Sequence, residues 1–345
     1  MNPISMRLLS QQLICPQYDT PTKVVSHFGA MQAQDYRMVR WAVMMRTRKP
    51  SDVAFKKAFN EGEIVRTHLL RGTWQLVSRA DYWWMLELLA SKAATTIKGW
   101  MKQNNVTIDD SEFKQVQEIF IRKAEEKQSV TSSDLNEALL EKGINMDRHR
   151  LSYHIRLNEI NGTLCSGTLL PMKATYSLAE KKIPRADTIS RDEMIMLLTR
   201  KYFQSHSPAT LEDYVWWSGL SMSDCQRGIG LLGTELRIEK YKDYLFYLHE
   251  TCRTRGFRNG TSHLIAPYDE YLIGYKTREL VILPQQMPFA YTKNGIFHPV
   301  VAHDGKICGN WMPWDKVLKI SYFDSTGNDL SLEKQWNLFN KTVKD

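Results

Sequence analysis

The sequence predicts an α+β chain: one supersecondary unit of helix, turn, helix and β-hairpin used three times, joined by helical linkers and followed by a small antiparallel β subdomain. Three observations predict it. Thr131/Asp134 and Thr210/Asp213 both show capping-box spacing ahead of an apolar helical stripe. Each stripe leads through a second helix into strands of alternating character. Near the end of the chain, Asn294-Gly295 and Asp304-Gly305 are tight hairpin signals between short apolar strands.

The loosest copy comes first. One helix starts at Thr22 and another at about Asp35, where Met38, Trp41, Ala42 and Met45 recur as a core stripe. A helix over Ser51–Asn60 precedes a hairpin, Ile64 to Leu69 and Thr73 to Val77, turning at Arg71-Gly72. Helical linkers cover Tyr82–Trp100 and Ser111–Glu126. In the clearest copy, Leu135, Ala138 and Leu139 form the first stripe and Gly143 ends it. A helix over Asp147–Ile160 and a hairpin over Gly162–Ser166 and Ala174–Leu178 follow. The third copy starts a helix after Thr210 and turns at Gly219-Leu220-Ser221. It continues as a helix over Met222–Leu232 and strands Glu235–Ile238 and Tyr244–Leu248. This is the order of a winged helix-turn-helix, in tandem. The implied divisions are 1–80, 81–127, 128–182, 188–250, 260–320 for the β subdomain and 328–345 for a helical tail.

With 43% hydrophobic and 24% charged residues over 345 positions, the chain has the composition of a folded globular protein. The net charge of +8 fits a polyanion partner, and its distribution says more. Basic residues dominate the first fifty positions; Arg148-His149-Arg150 with Arg156 and Arg253-Thr254-Arg255-Gly256-Phe257-Arg258 form two further clusters. A solvated face explains any one cluster equally well. The five scattered Cys make no disulfide framework or C-x-x-C pair. Neither a signal peptide nor a run long enough to cross a membrane is apparent, so a cytoplasmic location is expected.

Several chemistries are set aside on spacing. Gly228-Ile229-Gly230-Leu231-Leu232-Gly233 matches G-x-G-x-x-G, but a helix precedes it and a strand follows, the reverse of a dinucleotide site. No nucleotide or other cofactor is therefore expected. Zinc spacing is absent, and His298 and His303 read as strand ends, so no metal is expected. Asp269-Glu270 offers a possible acid/base pair. Adjacent carboxylates on an extended segment point to opposite faces, so a structural role is favoured, with either acid in reserve.

Gln32 and Gln34, in Phe28-Gly29-Ala30-Met31-Gln32-Ala33-Gln34-Asp35-Tyr36, are the most informative pair. An amide cannot act as a proton shuttle; it only donates and accepts hydrogen bonds. A site made from two of them aims a water at a substrate already primed to break. On a helix, residues i and i+2 diverge by roughly 200°; in an extended or turn segment they face one side. Gly29 and the plausible N-cap Asp35 favour such a break. On residue types alone, two solvated glutamines at a helix end remain the simpler reading.

Four segments carry a resemblance. They are Gly29 to Tyr36; Arg66-Thr67-His68 with Arg71-Gly72-Thr73-Trp74; Tyr202-Phe203 through Ser207–Tyr214 to Trp217–Leu220; and Pro267–Tyr275. Together, in order and across about Ile4 to Trp314, they resemble the AlkZ/YcaQ family of bacterial DNA glycosylases. The resemblance implies tandem winged helices with a β-barrel-like C-terminal subdomain, and a catalytic Gln-x-Gln pair at Gln32 and Gln34. It further implies excision of cationic alkylated purines and, in some members, unhooking of interstrand crosslinks. Double-stranded DNA would be held in a basic channel, with Arg71, Thr73, Arg148, Arg150, Arg156, Arg253, Arg255 and Arg258 as the candidate contacts. A nucleoid-associated monomer is expected. Members of that family often carry His after the Arg-Gly-Thr-Trp motif, where this chain has Gln75. Two rival readings are a non-catalytic DNA-binding regulator or architectural factor and a protein-interaction scaffold.

Overall fold

The structure, a computed structural model, describes residues 2–185, 187–315, 317–324 and 332–343. The chain divides into two compact units: Met1–Phe55 together with Ile195–Asp345, and Lys56–Met194.

In the second unit, strands Ile64–His68 and Trp74–Ser78 pair antiparallel, with Val65 opposite Val77 and Thr67 opposite Gln75. The turn is made by Arg71 and Gly72, both at positive φ. Helix Arg79–Gln103 and helix Asp110–Lys127 follow, the latter capped by Asp109. Thr131 and Asp134 form the expected reciprocal cap on helix Ser132–Glu141. Asp147 caps helix Arg148–Ile160. Val130–Thr131, Thr175–Leu178 and Leu164–Ser166 lie side by side in that order as a small sheet. Val116, Phe120, Leu135, Leu139, Ile155 and Leu164 close on one another beneath it, fully or almost fully buried. Each such side chain adds roughly 1.5–3 kcal/mol, which is what holds so short a sheet.

The first unit opens with helices Pro3–Ser10 and Pro21–Phe28, each with a proline in the first turn and a side-chain cap from Asn2 or Thr20. The short strand Ala30–Gln32 and helix Met38–Met44 come next. Helix Leu211–Ser218 carries the second capping box, ends at left-handed Gly219, and leads into helix Met222–Leu232. Strands Leu236–Tyr241 and Tyr244–His249 form a two-stranded hairpin.

The C-terminal sheet is antiparallel, in the order Ile320–Tyr322, Lys306–Trp311, Val300–His303, Ser262–Ile265. It is open, so the barrel-like expectation is not met among the described residues. Asp304-Gly305 makes the expected two-residue turn, both residues at positive φ, between His303 and Lys306. Asn294-Gly295 turns the chain too, but yields only one bridge, Tyr291 to Phe297, because the chain before it is the short helix Met287–Ala290 and the strand after it, Val300–His303, pairs elsewhere. Of the expected tail, Glu333–Thr342 is helical, and Trp336 and Phe339 pack edge-on against Trp311. Positions 328–331 and 344–345 lie outside the described residues. Among the described residues no helix is long and apolar enough to cross a membrane.

Candidate active site

Helix Pro21–Phe28 ends at Gly29, whose φ of 75° lies where a side chain is strained; a Cβ there would also meet Lys201 at 3.0 Å. The chain then runs straight into the strand Ala30–Gln32, every residue of which is buried. Gln32 is 6% exposed and sits at the strand end. Gln34 lies two residues on, in a bend, and is exposed. Asp35 accepts from the backbone of Arg37 (3.0 Å) and Met38 (2.9 Å) and so starts helix Met38–Met44. The helix break that the glutamine spacing requires is therefore present. Arg37 stacks over the half-exposed Trp314 ring at 4.2 Å.

Beneath the strand end is a buried polar cluster. The backbone N–H of Gln32 donates to Glu270 Oε1 at 2.6 Å. Glu270 Oε2 accepts from Trp217 Nε1 (3.0 Å) and lies 3.2 Å from His206 Nε2. A carboxylate only accepts, which assigns the His206 proton to Nε2. Burial pushes the His206 pKa down, against the pull of Glu270. Tyr202 stacks on the same imidazole at 4.6 Å.

Asp269 faces other partners. It caps helix Glu270–Ile273 and takes two bonds from Arg46, 2.8 and 2.6 Å, with both side chains fully buried. The segment is thus helical rather than extended from Glu270 onward, but the two carboxylates do part company as expected. Neither is positioned beside the other for acid/base work, and both are built into the core.

The basic candidates have distinct surroundings. In the Lys56–Met194 unit, Arg71 and Thr73 form the hairpin turn. Thr73 Oγ1 donates to Leu70 O and accepts from Gln75 Nε2 at 2.9 Å. Gln75 itself is fully buried. Trp74 lies under Arg66 (4.3 Å) and Arg156 (5.5 Å) and beside the His68 ring, which is bound to Glu159 at 2.5 Å. Arg148 is exposed. Arg150, in contrast, is forked onto Glu112 and also donates to Thr107 O. Arg255 and Arg258, in the other unit, are exposed, while Arg253 reaches Cys15 O at 2.9 Å. The structure joins Arg71 to Thr73 and Arg156 to Trp74; Arg148 and Arg150 share one helix start.

The glycine run has a packing role. A Cβ on Gly228 would meet Thr199 Oγ1 at 2.0 Å, so this glycine serves close packing. Gly233, at φ 52°, ends the helix. Among the described residues no group of three His, Cys, Asp or Glu stands in metal-binding array.

The sequence model of the family described as DNA glycosylase AlkZ-like matches residues 25–327. The chain belongs to that family. It is an enzyme acting on DNA. A curated relative, the interstrand DNA cross-link repair glycosylase of Streptomyces sahachiroi, is 24% identical over 329 residues, covering 88% of this chain and 85% of the relative. The solved structure of Streptomyces sahachiroi DNA glycosylase AlkZ superposes with a TM-score of 0.78 at 20% identity, covering 99% of this chain and 96% of the other, so the two share a fold.

The AlkZ-like match spans both glutamines and also residues that sequence reasoning left unassigned. His206 and Trp217 fall in a quoted motif, yet nothing in their spacing pointed to Glu270. The Arg37–Trp314 stack gave no signal at all, since 277 positions separate its partners (314 − 37).

Proposed function

We propose that this enzyme hydrolyses the N-glycosidic bond of cationic alkylated purines of the N7-alkylguanine type, with Gln32 and Gln34 positioning the attacking water. The observation that carries the reading is the Gln32–Gln34 segment. It is a strand end followed by a bend, with one amide nearly covered, one exposed, and the backbone anchored from below.

An N7-alkylguanine carries a positive charge and departs as a neutral base, so no general acid is needed. What remains is to hold a water against C1′ and to soften the charge that develops on the sugar. Two fixed carboxamide dipoles suit both tasks, because orientation and preorganised electrostatics need no titrating group. The absence of a carboxylate or imidazole from the pair is then a consequence of the substrate. The same chemistry extends to N7-alkylguanines joined across strands, in keeping with the relative's name. Uncharged, undamaged bases should be poor substrates.

The partner we propose is double-stranded DNA, bound by a monomer through the three helix-turn-helix-hairpin units acting as winged helices. Exposed Arg148, Arg255 and Arg258 are the readiest phosphate contacts. Arg71, Thr73, Arg156 and Arg253 offer partly covered ones, and Arg150 has first to leave Glu112.

The test is incubation with a duplex containing one N7-methylguanine, followed by hot alkali to cut abasic sites. Strand cleavage is expected. Gln32→Ala and Gln34→Ala should each lower the single-turnover rate by roughly 10²–10³, with duplex affinity nearly unchanged. Wild-type excision in both variants would end the assignment.

A further inference from the structure

We propose that Glu270 is the positioning residue for the catalytic strand, a proposal that rests on the reading just given. One buried carboxylate, 2% exposed, gathers the Gln32 backbone N–H at 2.6 Å, the Trp217 indole N–H at 3.0 Å and the His206 imidazole at 3.2 Å. It thereby ties the end of the Ala30–Gln32 strand to helix Leu211–Ser218 and to the helix holding His206.

The direction of the bond matters. Gln32 N is the last backbone donor before the chain leaves the strand for the bend that carries Gln34. Held there, both carboxamides hang from a fixed point. Released, the strand end loses its tie to the Glu270 carboxylate and the bend after it is less firmly placed. A loss of even 1 Å in placement is enough to lower the rate of a reaction that depends on an aimed water.

The acceptor is also matched to its donors. Three N–H groups converge on two oxygens, and bonds to an ionised acceptor are shorter and stronger than neutral ones. An amide in place of the carboxylate turns one acceptor oxygen into a donor. That NH2 then faces either the Gln32 N–H or the Trp217 Nε1–H, and neither can become an acceptor. The neighbouring charges do not compete for the site: Arg46 is held by Asp269, and Arg7 by Asp213.

The test combines kinetics with one backbone resonance. Duplex containing N7-methylguanine is the substrate. Glu270→Gln should lower the single-turnover rate on the order of 10–100-fold, the scale of a lost charged hydrogen bond, while affinity for the same duplex stays within about twofold. Trp217→Phe keeps the carboxylate and removes one donor, so a smaller loss is expected. In wild-type protein labelled with 15N-glutamine, the Gln32 amide proton should be far downfield and protected from exchange, and Glu270→Gln should shift it upfield. If Gln32→Ala is inactive but Glu270→Gln cleaves at the wild-type rate, the positioning role is wrong and the glycosylase reading stands. If Gln32→Ala cleaves normally, the reading itself fails and takes this proposal with it. Should Glu270→Gln not fold, the wild-type resonance decides: an ordinary, freely exchanging Gln32 amide overturns the proposal, and a downfield, protected one that moves in Trp217→Phe along with the rate upholds it.

Discussion

Helix Ser132–Glu141 and helix Leu211–Ser218 begin with the same capping box, Thr131/Asp134 in one and Thr210/Asp213 in the other. The local bonds are nearly identical: the threonine hydroxyl accepts from the aspartate N–H at 3.2 and 3.1 Å, and the carboxylate accepts from the threonine N–H at 2.7 and 3.0 Å. Their surroundings differ. Asp134 is near the surface, where an exposed Lys127 reaches it at 2.6 Å and, with the Thr131 bonds, holds its carboxyl well below the usual range. Asp213 is fully buried. It accepts from the backbone of Lys276 and Thr277 and pairs at 3.2 Å with Arg7, itself buried and stacked on Tyr275 at 3.6 Å. One device starts a helix. The other also fastens the N-terminal helix and the segment after helix Glu270–Ile273 to the same point, next to the cluster that holds Gln32.

Removing each carboxylate tests this contrast most strongly. Asp134→Ala should cost about 1 kcal/mol, a lost cap plus a screened surface pair. Asp213→Ala leaves the Arg7 guanidinium buried without its counter-charge and should cost roughly 3–5 kcal/mol. Urea denaturation of both variants measures the difference. Equal losses would show that the buried pair adds nothing to the cap.

A pH series sharpens the same contrast with a smaller effect. Burial pushes His27 and His263, both in the unit that contains Asp213, down to about 4 from 6.5. Each is neutral when folded but takes a proton when unfolded below pH 6.5. Stability therefore falls as pH falls from 6.5 toward 4, by about 1.4 kcal/mol for each at pH 5.5. Asp134 has the depressed carboxylate pattern, so its contribution is intact through that window and is lost only as pH drops below the unfolded value of 3.8. Urea midpoints between pH 7 and 5.5 should drop in wild type and drop less in His263→Asn. A flat profile would mean that the imidazoles are hydrated and charged.

What the chain made legible follows the same line. Both capping boxes, the Met222–Leu232 helix and the Asp304-Gly305 hairpin were readable because their causes lie within a few residues. The glutamine pair stood out because two amides sit where a helix stripe breaks. Glu270 could be flagged as an acid but not given its partner, since Gln32 lies 238 positions away. Arg150 stood out as charge, yet Glu112, its partner on another helix, is invisible to a count of clustered arginines. The Asn294-Gly295 turn is present, yet of its two flanking strands only Val300–His303 forms, because tertiary packing decides whether a turn is flanked by ladders.

The smallest effect separates two glycines in one helix of the third unit. In Gly228-Ile229-Gly230, a Cβ on Gly228 would strike Thr199 Oγ1 at 2.0 Å, and that hydroxyl is pinned by Ile195 O (2.7 Å) and Tyr214 OH (2.9 Å). Tyr214 belongs to the helix that Asp213 caps, so the neighbour cannot yield without disturbing the buried device. Gly228→Ala should cost on the order of 1 kcal/mol. Gly230 has nothing within 4 Å of the same added atom. There alanine only restricts the unfolded chain and improves helix propensity, so Gly230→Ala should gain up to about 1 kcal/mol. Thermal midpoints that move in opposite directions fix Gly228 as a packing residue and Gly230 as an open helical position; a loss of DNA binding in Gly230→Ala at unchanged stability would instead place that helix face against the substrate.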